Sequence, residues 1–70
     1  MSKLEAPVTG RIVAVLVKAG DRVAAGDTVA MIESMKMEIP VEAERDGRVV
    51  RVLAAEGDEV DEGQALLDQE

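Results

Sequence analysis

The feature that most constrains this chain is that it is written twice. Shifting the sequence by 37 positions lays Glu5–Glu33 over Glu42–Glu70 with no gap. The first copy reads EAPVTGRIVAVLVKAGDRVAAGDTVAMIE and the second EAERDGRVVRVLAAEGDEVDEGQALLDQE. The matches include Gly10/Gly47, Arg11/Arg48, Val13/Val50, Val15/Val52, Leu16/Leu53, Gly20/Gly57, Asp21/Asp58, Val23/Val60 and Gly26/Gly63. Two copies are too few for a solenoid, which needs about three stacked units to bury a continuous core. One domain over residues 1–70, with quasi-twofold symmetry, is the simpler expectation.

Each copy reads as short strands. Gly10 opens the β-branched run Arg11–Val17, and Gly47 opens Arg48–Ala54. Gly20-Asp21 and Gly57-Asp58 are turn dipeptides; Gly26-Asp27 and Gly63-Gln64 punctuate again before Thr28–Ile32 and Ala65–Leu67. No stretch holds a 3.6-residue apolar period for ten residues without a glycine, and Val23–Ala25 is the only place a helix has room. The pattern predicts an all-β fold, a small sandwich or barrel. Simple alternation picks Val13, Val15, Val17, Val23, Val29, Val50, Val52, Val60 and Leu66 as its core.

Composition then removes whole classes of function. With 70 residues, the domain buries only about 60% of the surface its unfolded chain exposes, which argues against a deep cleft. There is no Cys and no His, so neither a thiol nor an imidazole is present to bind metal or move protons. No catalytic residues and no metal ligands are predicted. No Phe, Tyr or Trp is present, so packing is aliphatic. The net charge of −7 disfavours nucleic acid and anionic membrane surfaces. It suits a monomer that meets its partners transiently. No apolar run approaches a bilayer span, and Met1–Ala6 carries no apolar leader, so a cytoplasmic location is expected.

Residues Ser34–Val41 join the copies and break the repeat. Strands are predicted on both sides, Val29–Glu33 and Ile39–Ala43. With Met35-Lys36 as the central residues of a hairpin, Ser34 faces Met37, Glu33 faces Glu38 and Ile32 faces Ile39. Two-residue hairpins favour positive φ and therefore Asn-Gly or Asp-Gly, so Met-Lys is a poor choice there. Two glutamates directly opposite one another repel. A lone turn lysine is ordinarily just solvated. Here several local rules fail together, as they do at functional sites. Under a twofold axis this junction is the counterpart of the place where the chain ends meet, so tip and termini are expected at opposite ends of the molecule.

The run Glu33-Ser34-Met35-Lys36-Met37-Glu38 resembles the attachment sequence of the biotinyl/lipoyl domain family, whose biotin branch centres on Met-Lys-Met. The frame Val17–Gly26 and its degenerate partner Ala54–Gly63 are similar to that family too. The resemblance implies a flattened barrel of two four-stranded antiparallel sheets with Lys36 on a hairpin turn. It implies covalent biotin on Lys36, joined as an amide by a biotin protein ligase that reads Met35, Met37, Glu33, Glu38 and Ser34. It implies a carrier, not an enzyme, moving a carboxyl group from a biotin carboxylase to a carboxyltransferase. The alternative is a lipoyl carrier for acyl or aminomethyl groups, but the lipoyl branch usually has Asp before the lysine and a small residue after it. The chain lacks the inserted thumb loop of some acetyl-CoA carboxylase carriers, since Val17–Val29 is filled by turn motif alone. The carboxylase served is left open.

Overall fold

The computed structural model describes residues 2–70. Eight strands follow one another: β1 Ser2–Glu5, β2 Gly10–Val15, β3 Arg22–Val23, β4 Thr28–Ser34, β5 Met37–Glu42, β6 Gly47–Val52, β7 Glu59–Val60 and β8 Ala65–Gln69. They form two four-stranded antiparallel sheets, β1-β8-β6-β3 and β5-β4-β2-β7. Adding 37 to the residue numbers carries β2, β3 and β4 onto β6, β7 and β8, and the two sheet orders onto each other. No helix forms among the described residues, and none there is long and apolar enough to cross a membrane.

The halves interlock. β3 of the first copy pairs with β6 of the second, and β7 of the second pairs with β2 of the first. The turn at Gly20 hands its N–H to the Val49 carbonyl at 2.8 Å, and the turn at Gly57 hands its own to Ile12 at 2.7 Å. Each copy completes the other's sheet. The turns themselves follow from Gly-Asp. Asp58 N–H bonds back to the Ala55 carbonyl at 3.0 Å, with Gly57 at φ 94°, the position where a type II turn requires positive φ. The Asp58 carboxylate then accepts from Ala55 N–H at 2.9 Å, as Asp21 does from Lys18 N–H.

The core is aliphatic and lies between the sheets: Leu4, Ile12, Val23, Val29, Ile32, Val41, Val49, Val60, Leu66 and Leu67 are all buried. The predicted core needs correction in its phase. Val23, Val29, Val60 and Leu66 are buried, and Val15, Val17 and Val52 pack half-buried against them, but Val13 and Val50, though half-buried, do not pack against the core. The register jumps between Ile12 and Ala14 and between Val49 and Arg51, so Val13 and Val50 are the extra residues of two β-bulges. The bulge reverses the alternation. Ile12 points inward before it and Val15 after it; Val49 and Val52 do the same in the second copy.

The two sheets are braced differently. Asp68 is buried and accepts from Lys3 Nζ at 2.9 Å and from Arg51 Nη2 at 2.7 Å, which clamps β1, β8 and β6. Its counterparts in the other sheet are Pro40, Met31 and Ala14, which cannot form ions. The Arg51 and Lys3 hydrogen bonds hold the Asp68 carboxyl below the usual carboxylate range. A carboxylate so lowered stabilises the fold above its unfolded value, and that contribution is lost as pH falls through the folded one. The thermal midpoint of the parent is therefore expected to fall more steeply below about pH 4 than that of Asp68→Asn, which should be less stable at pH 7. Parallel acid limbs in a pH series of thermal melts would show that the clamp is not ionic.

Candidate functional site

β4 and β5 form the hairpin in the predicted register: Ile32↔Ile39, Glu33↔Glu38 and Ser34↔Met37. Met35 and Lys36 are its two central residues, at φ 53° and 66°. Positive φ at both positions is the primed turn whose twist matches the flanking strands. Neither residue is glycine, and a left-handed conformation costs an L-residue roughly 1–2 kcal/mol. The strain falls on the two residues the sequence singles out. Met35 is 92% exposed and Met37 65%, so two large and mostly solvent-exposed apolar side chains flank an exposed Lys36. The amine is displayed, not buried.

Replacing Met35-Lys36 by Asn-Gly should relieve this strain. The double variant is expected to gain about 1–2 kcal/mol. For a domain of this size that is a thermal midpoint higher by several degrees. An unchanged midpoint in calorimetry would mean that the turn is not strained.

The stem of the hairpin manages its own conflicts. Glu33 lies opposite Glu38, and Arg11 Nη2 from β2 answers the repulsion by reaching Glu33 Oε1 at 3.3 Å. Ser34 Oγ donates to the Thr9 carbonyl at 2.8 Å, so its hydroxyl is turned toward the body of the domain. Gly10 permits β2 to press close: a Cβ there would lie 2.3 Å from the Glu33 carbonyl oxygen. Thr9 and Gly10, beside the hairpin, are absent from the set predicted from sequence. Their only advance signal is that Thr9-Gly10 precedes a strand at the place where Asp46-Gly47 does in the second copy.

Beside the stem lies a hollow of about 640 Å³ lined by Thr9, Gly10, Arg11, Glu33, Glu59, Val60 and Asp61. It is an open surface hollow with a mostly charged lining, not the deep cleft that the size of the domain argues against. Among the described residues no group of three acidic, His or Cys side chains is placed to hold a metal. The repeat shows how the lining has diverged. Glu59, Asp61 and Glu62 stand where the first copy has Arg22, Ala24 and Ala25. The segment bonded to Thr9, beside the lysine hairpin, is thus acidic where its repeat partner Arg22–Ala25 in the other sheet is not.

Comparison with known proteins agrees with this geometry. The family model described as "Biotin-requiring enzyme" matches residues 2–68. The biotin/lipoyl attachment protein of Bacillus subtilis is 51% identical over 61 residues, covering 87% of this chain and 84% of that protein. The 2-oxoglutarate carboxylase large subunit of Hydrogenobacter thermophilus is 58% identical over 38 residues, 54% of this chain but only 6% of that subunit. A single-chain, multi-domain long-chain acyl-CoA carboxylase superposes with a TM-score of 0.89 at 35% identity, over 94% of this chain and 7% of that one. A match along nearly all of the chain makes it a member of the biotin/lipoyl family.

Proposed function

We propose that the chain is a biotin carboxyl carrier, a single domain whose Lys36 receives biotin through an amide. The observation that carries this reading is an exposed lysine between two exposed methionines, on a strained turn outside the repeat, in a chain whose relatives include carboxylases. The fit to the group is open. Nothing among the described residues covers Lys36, and the exposed Met35 and Met37 offer apolar surface to an enzyme that must close over the tip.

The chain's own chemistry is one step. The unprotonated Lys36 amine attacks the acyl carbon of an activated biotinyl-adenylate on a biotin protein ligase. The C–N bond forms, the acyl–oxygen bond to AMP breaks, and the amine's proton leaves to the ligase or solvent. Once attached, biotin supplies a ring that takes up and gives back a carboxyl group. The protein thereafter contributes rigidity at the base of the arm and a raised local concentration at each partner's site. Those partners are a biotin carboxylase using ATP and bicarbonate, and a carboxyltransferase; the isolated domain is proposed to be a monomer.

Glu33, Glu38 and the acidic turn Glu59–Glu62 fit a ligase face rich in Lys and Arg. Co-expression with a biotin ligase, followed by a streptavidin blot, tests the site. The parent should bind streptavidin and Lys36→Arg should not. Streptavidin binding by Lys36→Arg would move the site elsewhere.

A further inference from the structure

The hairpin reaches past the sheet that carries it. The last pair joining β4 to β2 is Arg11↔Glu33, whereas β4 and β5 continue to Ser34↔Met37. Ser34–Met37 is therefore an overhang whose central residues both sit in a left-handed conformation. Among the described residues one side-chain hydrogen bond ties it to the body, from Ser34 Oγ to the Thr9 carbonyl at 2.8 Å. Thr9 is fixed from the far side as well, because its Oγ1 accepts from Glu62 N–H at 3.0 Å. The next residue, Gly10, is in close contact with Glu33 and Ile32, where a Cβ would meet Ile32 Cγ2 at 2.7 Å. Thr9-Gly10 thus forms a seat for the end of β4.

The internal repeat separates framework from specialisation. The bond from Glu62 N–H to Thr9 has a twin in Ala25 N–H to Asp46 Oδ1 at 2.8 Å. The contact of Gly10 with the Glu33 carbonyl has a twin in Gly47 with the Glu70 carbonyl, a Cβ falling 2.3 Å away in both. The ion pair Arg11–Glu33 has a twin in Arg48–Glu70. These belong to the shared half-fold. Ser34 lies just past the repeated segment, at the base of the hairpin, where its hydroxyl bonds to the Thr9 carbonyl.

We propose that Ser34 is a positioning residue. Through the Thr9 carbonyl it sets the angle at which the hairpin leaves the sheet, so that the Lys36 amine meets the modifying enzyme in one orientation. This rests on the reading of Lys36 as the modified lysine. It reassigns Ser34, which the family resemblance placed among residues read by the ligase, to a role inside the carrier. Freedom removed from the overhang before the encounter is not lost during it, and a reacting atom held in place reacts faster than one that wanders.

The test uses the full chain, with Ser34→Ala to remove the hydroxyl and Ser34→Thr to keep it. With a purified biotin protein ligase, Ser34→Ala should lose about three- to tenfold in kcat/KM, the scale of one hydrogen bond. Ser34→Thr should stay within about twofold of the parent, and both should melt within a few degrees of it. Acetylation of Lys36 by a small activated ester should proceed at the parental rate in both, because access is unchanged. The backbone ¹⁵N order parameters of Met35 and Lys36 should fall in Ser34→Ala only, from a rigid value of about 0.85 toward about 0.6. Parental ligase kinetics together with parental order parameters in Ser34→Ala would overturn the proposal. Equal slowing in both variants would also overturn it, since the ligase would then be reading the serine itself. If the parent takes no biotin, the carrier reading fails, and the order parameters alone decide whether Ser34 holds the overhang.

Discussion

Replacing Ile12 by Ala is expected to cost about 2–5 kcal/mol, the range for truncating a fully buried Ile. Ile12 is 1% exposed, pairs across the sheet with Ile32, and exchanges backbone bonds with the Gly57-Asp58 turn. It therefore sits where the two copies interlock. A chain of this length has roughly 3–10 kcal/mol of total stability, so the substitution should remove a large share of it. Val13, one residue along, is the bulged residue and only half-buried, so Val13→Ala should cost under about 1 kcal/mol. Chemical denaturation of the two variants tests the phase of the core directly. Equal losses would mean that the bulge does not decide which side chain is buried.

The second large effect is on modification, not stability. Met35→Asp with Met37→Ala recreates the polar-then-small flanks of the lipoyl branch. Both side chains are exposed, so the double variant should melt within a few degrees of the parent. A ligase that closes on the tip must desolvate both methionines, whose unbranched, polarizable side chains adapt to an apolar groove. Losing that burial takes away about 1–3 kcal/mol of transition-state binding, and biotinylation should slow about tenfold or more. A lipoate ligase should accept the variant better than the parent. A competition of the two ligases on both proteins, read by intact mass, gives the answer. Equal biotinylation of parent and variant would locate recognition elsewhere, with Glu33 and Glu38 the nearest candidates.

Much of this fold is legible because it is duplicated. The repeat predicts the symmetry, and the glycine spacing predicts the turns. The hairpin register follows from placing Met35-Lys36 at the centre of the junction. What escapes the sequence does so for physical reasons. A bulge inserts one residue with no change in composition, so alternation through Val13 and Val50 runs into the wrong phase. β3 and β7 are two residues each, too short to show any period, and are hidden inside turn motifs. The Lys3–Asp68–Arg51 clamp joins residues up to 65 apart, which leaves no local trace. Ser34 is visible as part of the attachment run, but its acceptor is a backbone carbonyl, and no residue type announces that. The outward set Lys36, Met35 and Met37 is readable for the opposite reason, since several local rules fail together at that one turn.

The central claim is that Lys36 carries biotin. Intact-mass analysis of the protein isolated from its native host, with peptide mapping of the modified species, tests it most directly. The account predicts one biotinyl group per chain, mapped to Lys36. A lipoyl group at Lys36, an unmodified chain from cells that contain biotinylated proteins, or biotin on any other lysine would contradict it.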